Sequence, residues 1–120
     1  MSNRVMGRAQ IKVNGQMLDT LPGASMDIGG VGRKTVTGAN KVLGFQEEPR
    51  PSKLECEIAV KVGTSLAAMG RWEDVTVSFE ADTGQTYVIA NGWCLDPPSA
   101  TDNDGKAKIV IEGPPAEEMM

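Results

Sequence analysis

The stretch Gly29-Gly30-Val31-Gly32-Arg33-Lys34-Thr35 contains the residue types that cradle phosphate: closely spaced glycines followed by a lysine and a hydroxyl. A nucleotide-binding P-loop sets its last glycine directly before Lys-Ser/Thr, so that backbone N–H groups wrap the phosphates and the lysine reaches across them. It also follows an apolar strand and opens a helix, whose N-terminus completes the anion site. Here Arg33 separates Gly32 from Lys34, Leu21-Pro22-Gly23-Ala24-Ser25 stands where the strand belongs, and Val36, Gly38 and Asn40 follow where the helix belongs. The dinucleotide fingerprint fails for the same reason, since its glycines must bridge a strand and a helix. A Gly-rich loop is the simpler account, and a nucleotide-dependent enzyme using Lys34 and Thr35 rests on the motif alone.

Other chemistry is scarce. The chain has no histidine, which removes the commonest general base together with the commonest metal ligand. Ser-His-Asp and Cys-His nucleophiles and most zinc sites are thereby excluded. The carboxylate pairs Glu47-Glu48 and Glu73-Asp74 are sequence neighbours, and neighbours on a strand point apart. Asp102-Asn103-Asp104-Gly105 looks like part of a calcium loop, but Ala100 and Ile111 occupy the first and last ligand positions. A turn explains it. Trp72 and Trp93 could stack on a sugar or a base, yet in a chain poor in aromatics they serve better as core or interface anchors. Cys56 and Cys94 both lie in apolar stretches and are expected to be buried free thiols. No catalytic residue, cofactor or metal is expected.

The elements that would carry any site follow a two-residue period. The chain has 120 residues, enough for one domain with a modest core. Ala9, Ile11 and Val13 alternate with polar residues before Asn14-Gly15, which predicts a tight hairpin. Leu54, Cys56, Ile58, Val60 and Val62 alternate with Lys53, Glu55, Glu57, Ala59 and Lys61, predicting the longest strand, central to the fold. Ser65 caps a short run of helix formers, Leu66 to Met69, that stops at Gly70. Val75, Val77 and Phe79 turn through Asp82-Thr83-Gly84 into Gln85 to Asn91 for a second hairpin, and Trp93 and Leu95 extend the apolar pattern to Pro97-Pro98. Lys106 to Glu112 makes a last strand, and Gly113-Pro114-Pro115 ends the pairing. The fold class is mainly β: an antiparallel sandwich or barrel with one short packed α-helix.

Leu21 to Ser52 fits this plan poorly. Glycines interrupt any long strand there, and structureless loops beyond about 12–15 residues are uncommon in small domains. Val31, Val36, Val42, Leu43 and Phe45 would bury badly in a solvated arm, which suggests that a partner surface covers them. An ordinary strand pair with a Gly-rich tip is the alternative. A net charge of -4 disfavours a groove that grips nucleic acid. With no apolar run long enough to span a bilayer and no leader-like start, a membrane anchor is not expected and the chain reads as cytoplasmic.

The ordered combination of "SKLECEIAVKV", "TSLAAMG", "WEDVTVSFEADTGQTYVIANGW" and "KIVIEGPPAEE" resembles the tail tube proteins of Mu-like contractile-tailed bacteriophages. The resemblance implies a single domain over residues 1–120, an antiparallel β-sandwich or half-barrel with one short packed α-helix, a fold shared with the tubes of type VI secretion machines. It further implies a homohexameric ring, rings stacked into a tube, and DNA passing through the lumen without specific binding. Its implied partners are further copies of the chain, the tail sheath, and the tape-measure and baseplate proteins. Its implied location is the virion tail, after assembly in the host cytoplasm. In such tubes an extended loop after the first hairpin bridges subunits, and residues 24–45 are the candidate arm. Lys53, Glu55, Glu57 and Lys61 are lumen-lining candidates, with Thr76, Ser78 and Glu80 as others. There, Glu55 and Glu57 would repel the duplex while the lysines pair with acids across strands. A tube subunit of a tailocin or secretion machine, and a monomeric β-sandwich module binding a ligand through Trp72 or Trp93, stay open.

Overall fold

The computed structural model describes residues 3–102 and 105–119. Eleven strands and one helix follow in the order β1 (Ala9–Val13), β2 (Gln16–Met17), β3 (Ser25–Asp27), β4 (Gly30–Thr37), β5 (Val42–Arg50), β6 (Ser52–Ala59), α1 (Leu66–Gly70), β7 (Val75–Ala81), β8 (Thr86–Cys94), β9 (Ser99–Thr101), β10 (Lys106–Gly113) and β11 (Glu117–Met119). Every strand pairing is antiparallel.

Two sheets share strand β8. Its first half pairs with β7, which continues through β1 to β2, and on its other side with β11. Its last residues, Trp93 and Cys94, pair with β10, which continues through β6 to β3. The strand changes sheet at a bulge, where Asn91 takes a φ of 57° and the register against β7 shifts between Val75 and Val77. Bulges of this kind bend a strand and let one sheet wrap over another. The result is a mainly β, antiparallel half-barrel: the alternation predicted the antiparallel strands, and the family resemblance the half-barrel.

The core lies between the inner faces. Ile11, Val77, Phe79 and Ile89 from one sheet meet Leu54, Cys56, Ile58, Ile109 and Ile111 from the other, all at or below 4% exposure. Leu66, Met69 and Trp72 close one side of it. Helix α1 begins at Ser65, whose hydroxyl accepts from the Ala68 N–H at 3.2 Å. A single turn of helix is not stable alone, so these apolar contacts are what hold it.

Several sequence expectations are corrected. Strand β6 stops at Ala59 because its partner β10 begins opposite it at Lys106. Val60 and Val62 therefore lie beyond the ladder, and Val62 is fully exposed. Nor is β6 central, since only the short β3 and an isolated bridge from Thr20 to Ile58 lie outside it. Pairing resumes after Gly113-Pro114-Pro115, where β11 joins β8 at Glu117 opposite Val88. Cys94 is half-buried rather than buried. Asp102 and Gly105 belong to a turn closed by the Gly105 N–H on the Thr101 carbonyl at 3.0 Å. Asn103 and Asp104 of the same motif lie outside the described residues.

The difference between the thiols has a chemical consequence. Burial pushes the Cys56 thiol up to about 11 and raises that of Cys94, whose Sγ–H donates to the Asp96 carbonyl at 3.1 Å. Only the thiolate is a nucleophile. A disulfide reagent at pH 8 is expected to label Cys94 slowly, Cys56 more slowly still, and both at once in denaturant. Because the unfolded chain releases the Cys56 proton near 9 and the folded chain near 11, stability should fall as pH rises through that window. Equal, rapid labelling of both thiols in the native protein would contradict this burial.

Candidate functional site

Strands β4 and β5 form a hairpin outside the half-barrel. They pair from Gly30 opposite Arg50 to Thr37 opposite Val42, and the Gly38 N–H donates to the Lys41 carbonyl at 2.7 Å across the tip. The glycines do not interrupt these strands: of the two readings of this stretch, the backbone adopts the strand pair and not the structureless loop. Eight residues of β4 span about 27 Å. Every residue of β5 is exposed. The chain's radius of gyration is 17.3 Å, against about 14 Å for a compact domain of this length; a projecting hairpin accounts for the difference.

Register explains its direction. Asp27 pairs with Lys53 in the half-barrel and Gly30 with Arg50 in the hairpin, both strands advancing three residues between. The hairpin is the β3–β6 pair carried beyond the sheet. At the junction Gly29 takes a φ of 70°, and a Cβ there would stand 2.6 Å from the Pro51 carbonyl carbon and the Ser52 nitrogen. Ser52, fully buried, shares its one hydroxyl proton between the Pro114 carbonyl at 2.6 Å and the Gly113 carbonyl at 3.2 Å. The Ala116 N–H donates to the Ile28 carbonyl at 2.8 Å. The hairpin's root is thus tied to the chain's C-terminal segment. Replacing Gly29 with valine should displace this root and cost about 2–4 kcal/mol, from strain at positive φ plus overpacking; chemical denaturation would measure it, and an unchanged midpoint would refute the junction's importance.

Pairing register assigns the two hairpin faces. Val31, Arg33, Thr35, Phe45, Glu47 and Pro49 share one face, where the Arg33 guanidinium lies 5.4 Å from the Phe45 ring centroid. Gly30, Gly32, Lys34, Val36 and Arg50 share the other, with the Arg50 guanidinium laid over Gly32. Of the five apolar residues singled out by sequence, Val31, Val42, Leu43 and Phe45 are 58–66% exposed and Val36 is half-buried. All five lie on this hairpin. The residues 24–27 that the sequence grouped with them belong instead to the half-barrel edge, while Gln46 to Arg50 complete the hairpin. Ser52 was missed, although its place in the even-numbered buried set of β6 was a readable signal.

The outward face of β6 and β10 forms a charged lattice. Lys53 pairs opposite Glu112, Glu55 opposite Val110 and Glu57 opposite Lys108. Lys53 Nζ lies 3.0 Å from Glu55, and Lys106 Nζ 3.0 Å from Glu57. The hydrogen bond between Lys53 and Glu55 raises the ammonium above its ordinary range and holds the carboxyl below its own. Lys61 does not join this face; it lies past the strand end and pairs with Asp19 at 2.6 Å. On the other sheet Ser78 and Glu80 are half-buried and Thr76 exposed, with Glu80 3.2 Å from Lys12. Trp72 packs on the core, whereas Trp93 is 39% exposed opposite Glu112. No group of three or more metal-ligating side chains occurs among the described residues.

A family model for phage tail tube proteins matches residues 2–118. The tail tube protein of Escherichia phage Mu is 42% identical over 109 residues, covering 91% of this chain and 90% of that one. The Mu-like prophage FluMu tail tube protein of Haemophilus influenzae strain Rd is 30% identical over 111 residues, covering 92% of each. Among solved structures, the tube-terminating cap of the anti-feeding prophage superposes over 100% of this chain and 94% of its own, with a TM-score of 0.68 at 12% identity. That last likeness concerns the fold.

Proposed function

The chain belongs to the phage tail tube protein family, whose members are structural proteins and not enzymes, and on that premise we propose that it closes into six-membered rings that stack into a DNA conduit. The observation that carries this reading is the β4–β5 hairpin, a long ribbon that presents Val31, Val42, Leu43 and Phe45 to solvent in the single chain. Exposed apolar clusters on a projecting element mark contact surfaces. The hairpin is the arm that reaches a neighbouring subunit or ring, and such a contact, repeated by rotation, closes a ring.

The β6–β10 face lines the lumen in this reading. Lys53 and Lys106 are held by Glu55 and Glu57 of the same face, so they offer little to a passing phosphate backbone, each contact with which would slow sliding. Lys61 sits at the rim, engaged by Asp19. The sheath, tape-measure and baseplate proteins are the further partners, and the virion tail the location, after assembly in the host cytoplasm. Negative-stain electron microscopy of the concentrated protein, with sedimentation to count subunits, is the test. Six-fold rings or hollow tubes are expected, and a strict monomer at every concentration reached would sink the proposal.

A further inference from the structure

Charge is divided unevenly between the hairpin and the rest of the chain. Residues 30–50 carry Arg33, Lys34, Lys41 and Arg50 against Glu47 and Glu48, a formal +2, which leaves -6 on the remainder of a chain of net -4. The five ion pairs resolved among the described residues all lie within that remainder: Arg4 with Asp82, Lys12 with Glu80, Lys53 with Glu55, Lys61 with Asp19, and Lys106 with Glu57. None involves the hairpin. Even Arg33, directly across from Glu47, turns to the Phe45 ring instead. The hairpin therefore presents cations and apolar side chains together, unneutralised by its own fold.

We propose that the occupant of this surface is the acidic half-barrel of a second copy of the chain, so that subunit association is charge-assisted and weakened by salt. The inference rests on the assembly reading above and adds to it the chemistry of the contact. Two like bodies of -6 repel one another, and complementary potentials steer encounter and suppress wrong orientations. A +2 ribbon set against a -6 body selects the arm-to-body orientation over body-to-body. It also places the arm away from any DNA path, because unpaired arginine and lysine would hold phosphate.

The test compares self-association of the full chain by sedimentation and light scattering between about 50 mM and 500 mM NaCl, where the screening length falls from more than 10 Å to under 5 Å. Lys34→Glu/Lys41→Glu is measured alongside, with thermal melting as the control, and Lys34→Gln/Lys41→Gln as the milder change should the first not fold. Wild type is expected to need an about tenfold higher concentration to associate at the higher salt, and the Glu variant to show that weakening already at low salt. Association equally strong at both salts, in wild type and variant alike, would overturn the charge assignment and leave the tube reading standing. A wild type that associates under no condition would remove both. A variant that assembles normally but loses retention of a 20-base-pair duplex would make nucleic acid the arm's partner, and the proposal would fall.

Discussion

A Val42→Asp/Phe45→Asp double variant is expected to lose ring and tube formation while its half-barrel unfolds at an unchanged denaturant midpoint. Both side chains are more than half exposed in the single chain, and substitutions at such positions shift stability by only about 0.5 kcal/mol. Within the chain the double substitution removes the stacking of Arg33 on Phe45, an interaction worth about 0.5–1 kcal/mol at an exposed site and confined to the hairpin. In the proposed assembly the same positions are covered, and burying a carboxylate without a partner costs several kcal/mol. At 1.4 kcal/mol per factor of ten, two such groups weaken association by at least about a hundredfold. A lowered midpoint would place Val42 and Phe45 in the chain's own fold, and undiminished assembly would place the subunit interface elsewhere.

That variant separates two roles that the sequence runs together. In β6, β7 and β10 an alternating pattern coincides with one buried face, because each pairs within a sheet packed on a second sheet: Leu54, Cys56 and Ile58, or Val75, Val77 and Phe79. There, apolar periodicity and burial are the same fact. In β4 and β5 they are not. Gly30, Gly32 and Gly44 break the pattern, and the strands exist because backbone hydrogen bonds extend the β3–β6 register past Gly29 and Pro51. A pairing handed on from the adjoining β3–β6 ladder leaves no periodic trace in its own residues. Alternation also overran its true end at Val60 and Val62, since what stops β6 is the start of β10 some fifty residues later. The three-residue strands β3, β9 and β11 are too short to show a period. Of the charged residues, the identity of the outward set Lys53, Glu55 and Glu57 was legible, whereas the partners Lys106 and Asp19 required the fold.

Gly113→Val is expected to cost about 3 kcal/mol of stability. Along the chain, Gly113 marks the end of a strand; in three dimensions it packs directly against Ile89 and Gly92 of β8. A Cβ at this position would stand 2.6 Å from Ile89 Cγ2 and 3.1 Å from the Gly92 Cα, beside the bulge at which β8 changes sheets. Ile89 is fully buried and β-branched, so it has no alternative rotamer into open space, and the Gly92 backbone is fixed by its neighbours in both sheets. Overpacking of this kind costs about 1–3 kcal/mol, and displacement of the Gly113 carbonyl from the buried Ser52 hydroxyl adds to it. Ile89→Ala decides whether the steric clash is the cause. Alone it opens a cavity and costs about 2–5 kcal/mol, but in the Gly113→Val background the new side chain has somewhere to go. The double variant is therefore expected to be less destabilised than the two single losses combined, by at least about 1 kcal/mol in a denaturation cycle. Simple additivity would mean that the strain at Gly113 arises from the backbone path at the corner and not from Ile89.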